Sequence, residues 1–134
     1  MLAERYLPPM SLRLLFLLHG LITFAAAIVL VIWPEVIPRT AGIELARGQY
    51  LLCWFLAAAE FAIGYLSIAA RNFNDPRAIR SVCRCFFLFH LFTALMEAVS
   101  IEQEVTVALL VNAGMRLAVA GLFLYYGMRQ RQPN

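Results

Sequence analysis

Four apolar runs, at roughly residues 11–33, 49–70, 81–100 and 105–127, dominate this chain. Each is about 20 residues long, enough for an α-helix to cross the hydrocarbon core of a bilayer. Hydrocarbon offers no water to a backbone N–H or C=O, so such a segment must close its own hydrogen bonds, as a helix does. Little chain is left over for a separate soluble domain. Charged residues make up 14% of the sequence and hydrophobic ones 63%, whereas a soluble domain carries about 25% charged residues. The expectation is a single all-α domain over residues 1–134, a polytopic, antiparallel, up-and-down four-helix transmembrane bundle.

All 11 basic residues are arginine. Arg5 precedes the first run and Arg13 lies at its start, Arg71, Arg77, Arg80 and Arg84 lie between or at the ends of the second and third, and Arg129 and Arg131 follow the fourth. The opposite loops hold Arg39 and Arg47 against Glu35, Glu44, Glu102 and Glu104. The positive-inside rule then puts both termini and the middle loop in the cytoplasm. The net charge of +3 is a topology signal. A nucleic-acid partner would need basic and aromatic residues gathered on one folded face, and none is expected. Arg13, an apolar stretch and Ala25-Ala26-Ala27 imitate a secretory signal, but the run continues to Trp33, too long for an h-region, and is expected to stay as the first span. Cys53, Cys83 and Cys85 lack both redox-motif spacing and a common depth, so they are expected as small buried hydrophobes rather than a disulfide.

Punctuation between the runs is explicit. Trp33-Pro34 closes the first span at an interface. Ile43 to Arg47 is expected to begin a helical turn leading into the second span. Asp75 can cap the third helix with Pro76 at its first position. The segment from Ser100 to Glu104 is short enough to make the last two spans a tight pair, and Gln130 to Asn134 read as a frayed tail. Trp54, Tyr125 and Tyr126 are expected as interfacial or packing aromatics. Arg13 and His19 enclose five apolar residues, as do Arg84 and His90, a pattern that duplication of a helical hairpin would produce.

Against this apolar background the internal polar groups stand out. Arg116 lies near the middle of the fourth run, where an unpaired charge costs about 3 to more than 10 kcal/mol. Counting from the flanking arginines at about 1.5 Å per residue puts His19 and His90 each about 9 Å in, Glu60 about 16 Å, and Glu97 and Arg116 about 20 Å. Two layers result: a histidine pair, and a Glu60, Glu97, Arg116 cluster near the midplane. His90, Thr93 and Glu97 share one helical stripe, and Asn112 and Arg116 are i, i+4 neighbours. Cys53, Ala57, Glu60 and Gly64 form a face of small and polar residues, the composition that lets membrane helices approach.

This polar centre (Arg116, Glu60, Glu97, Asn112, His19, His90, Thr93) admits several uses. Arg116 can fix the bundle as a structural ion pair with Glu97 or Glu60. It can also anchor the polar head of a hydrophobic molecule such as a lipid or quinone. His19 and His90, at equal depth on different helices, could be axial ligands of a b-type haem in an electron-transfer subunit, although no cofactor is the leading expectation. A small ion- or proton-coupled transporter acting as an oligomer is the further alternative. No Ser/His/acid set, phosphate-binding glycine loop or His-Glu-x-x-His is present, so a non-enzymatic accessory or ligand-binding component is favoured over an enzyme. Its partners would be the bilayer, a hydrophobic small molecule, a second copy of itself or a larger membrane complex.

Trp33-Pro34-Glu35, Gly42-Ile43, Ala46-Arg47, Gly64, the junction Ala70-Arg71-Asn72-Phe73-Asn74-Asp75-Pro76, and Arg80 resemble the DoxX-like small bacterial four-span membrane proteins and their uncharacterised relatives. The likeness covers most of residues 15–127. It implies an up-and-down four-helix fold. Some DoxX-like members are accessory subunits of quinone-linked oxidoreductases, but no motif in this chain carries that role across.

Overall fold

The computed structural model describes residues 10–99 and 106–130. They form α1 (Met10–Ile32), a short α2 (Val36–Thr40), a 3-10 turn (Arg47–Gln49), α3 (Tyr50–Ala70), α4 (Pro76–Val99) and α5 (Val107–Arg129), with no strand among the described residues. Four segments are long and apolar enough to cross a membrane: Ser11–Ile32, Arg47–Ala70, Pro76–Val99 and Val107–Arg129. Large apolar side chains such as Ile22, Phe55, Tyr65, Phe92 and Val107 remain more than half exposed on these helices. Patches of this kind are rarely left uncovered on a soluble monomer; lipid chains are their natural solvent.

Local chemistry sets the helix ends. Pro34 biases Trp33 away from helical geometry, and α1 stops at Ile32. Asp75 accepts a hydrogen bond through Oδ1 from the Arg77 N–H at 2.9 Å, with Pro76 as the first residue of α4, as the sequence predicts. Thr106 caps α5, its Oγ1 accepting from the Leu109 N–H at 3.1 Å. The same hydroxyl donates to the Thr40 carbonyl at 2.9 Å, tying the start of α5 to the end of α2. Two local expectations need correction. Ile43 to Ala46 are not helical, and the turn into α3 is the 3-10 turn at Arg47–Gln49. Gln130 is not frayed: it is 2% exposed and its Nε2 donates to the Tyr126 carbonyl at 3.1 Å. The expected tight connection from Ser100 to Glu104 and the tail beyond Gln130 lie outside the described residues.

Hydrophobicity alone cannot drive helices together inside a lipid phase, where tails are as apolar as leucine; close packing and internal hydrogen bonds must do it. In the α1–α3 pair the backbones come close together at two glycines. A Cβ built on Gly20 would meet the Gly64 carbonyl oxygen at 3.0 Å and Ile68 Cγ1 at 2.6 Å, and one on Gly64 would meet the Gly20 carbonyl oxygen at 3.2 Å. The larger core cluster draws on all four long helices: Leu12 and Phe16 from α1, Ala70 from α3, Ile79, Val82, Cys83 and Phe86 from α4, and Phe123 from α5. A smaller cluster, Leu30, Cys53 and Ala57 with Leu45 beside it, involves only α1, α3 and the loop between them. The buried residues of α5 are Ala120, Phe123 and Gly127, all in its second half. The four-helix core therefore sits at the arginine-rich end and gives out along α5 before Arg116. Cys53 and Cys83 are buried as expected, but Cys85 is exposed, and all three thiols are free.

The crossing glycines are testable. Gly64→Leu should destabilise the protein by roughly 1–3 kcal/mol, since the Gly20 backbone and the Phe24 ring both stand in the way. Gly114→Ala, at a helical position with nothing within 4 Å, should be neutral or stabilise by about 0.5–1 kcal/mol. Thermal unfolding of both variants in the same detergent checks the pair.

Candidate functional site

Two polar constellations join the helices. The first joins three helices. His90 on α4 and His19 on α1 meet Nε2 to Nε2 at 2.8 Å. His19 Nδ1 lies 2.9 Å from Ser67 Oγ on α3, and the Ser67 hydroxyl donates to the Phe16 carbonyl at 2.8 Å. A carbonyl can only accept, which fixes the direction of the whole chain. Ser67 spends its single hydrogen on Phe16, so its oxygen accepts from His19 Nδ1–H. Neutral His19 then offers a lone pair at Nε2, and His90 Nε2–H donates to it. The chain leaves His90 Nδ1 as an acceptor; that atom is buried and has no hydrogen-bond partner among the described residues.

An aromatic collar surrounds the pair. Phe86 lies 4.7 Å and Phe123 5.1 Å from the His19 ring, centroid to centroid. Phe123 also stacks on His90 at 6.4 Å, with an interplanar angle of 4°. His19 and His90 are 7% and 8% exposed, so the chain is nearly sealed. Axial ligands on opposite sides of a metal at about 2 Å each would stand about 4 Å apart. The observed 2.8 Å is a hydrogen bond with no room for iron, and the residues as arranged do not fit a bis-histidine haem. Among the described residues no group of three or more His, Cys, Asp or Glu is placed to hold a metal ion.

The second constellation lies where the four-helix core has given out. Arg116 Nε donates to Glu97 Oε1 at 3.0 Å, and Asn112 Nδ2 donates to the same oxygen at 2.6 Å. The i, i+4 spacing of Asn112 and Arg116 on α5 thus converges on one carboxylate of α4. The pair is not sealed, with side-chain exposures of 23% for Arg116 and 16% for Glu97, and Asn112 is exposed. Glu60 is 8% exposed. It makes no hydrogen bond among the described residues. Of the two acids that the sequence offers Arg116, Glu97 holds it and Glu60 stands off. Thr93 does not join either group, because its hydroxyl turns back to the Phe89 carbonyl of its own helix at 2.7 Å.

Ser67 is the functional residue that the sequence reading missed. It lies three residues beyond Gly64 and seven beyond Glu60, on the small and polar face already recognised in α3. The signal was present in the spacing.

Two measurements probe these constellations. Nitrogen-15 NMR of labelled histidine should find His19 protonated at Nδ1 and His90 at Nε2; one tautomer shared by both rings would contradict the derived chain. Ser67→Ala should cost on the order of 1–3 kcal/mol, since it strands the His19 donor in a dry core. Removing one partner of the ion pair, as in Arg116→Leu, should cost on the order of 3 kcal/mol, while the double variant Arg116→Leu, Glu97→Leu should recover much of that loss. Denaturation of the single and double variants measures the difference.

No family model matches this chain, and no curated protein or solved structure matches it.

Proposed function

We propose that this chain is a multi-pass membrane protein of the DoxX-like kind. In this reading it is a non-enzymatic component that holds an amphipathic molecule, of lipid or quinone type, by its polar head at the Arg116 centre. The spans run up and down, with both termini and the Arg71–Pro76 junction on the cytoplasmic side of a bacterial inner membrane, as the arginine distribution dictates. The observation that carries the reading is the placement of the Arg116–Glu97–Asn112 group. It sits in the middle of a spanning helix, beyond the four-helix core, and is still partly uncovered. Polar groups facing hydrocarbon are expensive and usually face a bundle interior or a cavity, so something polar should cover them.

The group suits a mixed donor and acceptor head. Arg116 uses Nε on Glu97, and its two Nη groups make no hydrogen bond among the described residues, leaving donors for a carbonyl or phosphate oxygen. Glu60, without a hydrogen bond among the described residues, can accept from a hydroxyl. A ligand entering sideways from the bilayer needs no aqueous mouth. A second copy of the chain is the competing cover. It is favoured by the scant burial of α5, where 11% of the apolar window is buried against 33% in α1.

Native mass spectrometry of the protein from mild detergent, with decylubiquinone added, separates the two. Ligand binding predicts a quinone or co-purified lipid adduct on the monomer that falls roughly tenfold in Arg116→Leu, the loss expected for a charge-assisted contact. A stable dimer without adduct that dissociates in the same variant would favour the second copy. A bare monomer in both would defeat the ligand reading.

A further inference from the structure

The arginine-rich end of the structure carries a polar feature that the centre above does not use. A cleft of about 240 Å³ lies between α4 and α5, lined by Arg80, Arg84, Phe123, Leu124, Gly127 and Met128. Arg80 and Arg84 are i, i+4 neighbours on one face of α4, as Leu124 and Met128 are on α5. Gly127 sets the closeness of the two helices, since a Cβ there would meet Cys83 Cβ at 3.0 Å. Nε and Nη2 of Arg80 are buried, yet neither has a hydrogen-bond partner among the described residues. The acid nearest in sequence, Asp75, is occupied in capping the start of α4. Two guanidinium nitrogens withdrawn from water without an acceptor are costly, and an anion in the cleft would supply the acceptor.

We propose that this cleft binds the phosphate of an anionic phospholipid, held by Arg80 and Arg84, with the acyl chains lying along Leu124 and Met128. Leu124 and Met128 are 37% and 69% exposed on a spanning helix, so the cleft is bordered by apolar side chains that lipid tails can follow. Its volume falls below the roughly 300–1,000 Å³ of pockets that enclose a whole small molecule. It accommodates a head with the tails left outside. Basic pockets between spanning helices on the cytoplasmic side are a recurrent solution for anionic head groups. A zwitterionic head would bring its own cation against two arginines and bind more weakly. The site is distinct from the Arg116 centre but shares a wall with the histidine pair, because fully buried Phe123 borders the cleft and also stacks on His90.

The test is native mass spectrometry of the full chain in detergent doped with phosphatidylglycerol, with phosphatidylcholine, or with inorganic phosphate alone. The phosphatidylglycerol adduct should exceed the phosphatidylcholine adduct roughly tenfold. It should fall by about the same factor in Arg80→Gln and in Arg84→Gln, as expected for loss of one charge-assisted contact. Arg77→Gln, an exposed position outside the cleft lining, should leave it unchanged. Arg84 is itself exposed, so its substitution reads binding even if the Arg80 variant misfolds. Equal adducts of the two lipids, or a phosphatidylglycerol adduct that survives both substitutions, would overturn the proposal. Inorganic phosphate retained as strongly as the lipid would also overturn it, assigning the cleft to a free anion.

Discussion

The hydrogen-bond chain from His90 through His19 and Ser67 to the Phe16 carbonyl is the contact on which the interior depends. It crosses from α4 to α1 to α3 within a few ångströms, and each link is buried. Inside hydrocarbon such a chain is worth more as a constraint than as a sum of bond energies, since every unmade link strands a polar group where no water can reach it. It fixes the rotation of three helices about their axes at once. The rings of Phe16, Phe86 and Phe123 pack edge to face or tilted around it at 5.1–6.2 Å, so the packing beneath and the polar links above demand the same helix phases.

That arrangement also explains why one end of the molecule is dense and the other is not. Below the histidines all four long helices contribute to one core. Above them, the buried hydrophobic cluster draws on α1, α3 and Leu45 of the loop between them, while Glu97 on α4 holds Arg116 and Asn112 on α5. A polar contact in place of packing is a weaker but more discriminating fastener: one Glu97 oxygen gathers the donors of both Arg116 and Asn112.

Much of the helix layout was legible in the sequence because the bilayer imposes a length. The runs at 11–33, 49–70 and 105–127 lie within two residues of α1, α3 and α5. The third run begins five residues after the start of α4, since Arg77 and Arg80 lower the hydropathy of a stretch that is nonetheless helical; the Asp75-Pro76 signal marks the true start. Depth was equally legible, because rise per residue is nearly constant, and both histidines fell at one level. Partner choice was not. Glu60 and Glu97 both lie near the depth of Arg116, and only the rotational phase of α5, set by Phe123 and Gly127 against α4, decides that Glu97 receives the guanidinium. Thr93 shares the stripe of His90 but spends its hydroxyl on its own backbone, a local competition that a spacing rule cannot see.

The two matching segments, Arg13 to His19 and Arg84 to His90, bring identical imidazoles together with their rings nearly perpendicular, yet a single hydrogen lies between their Nε2 atoms and must be covalently attached to one of them. Sequence likeness therefore ends in chemical inequivalence. Ser67 breaks the tie by drawing the other hydrogen of the pair to its own side, and Phe123, an inert ring, offers His90 nothing comparable. Moving that bridging hydrogen across would require His90 to gain one at Nδ1 while His19 gave one up at the far side. The asymmetry is thus a latch: the direction of the chain can reverse only when both ends exchange a proton together.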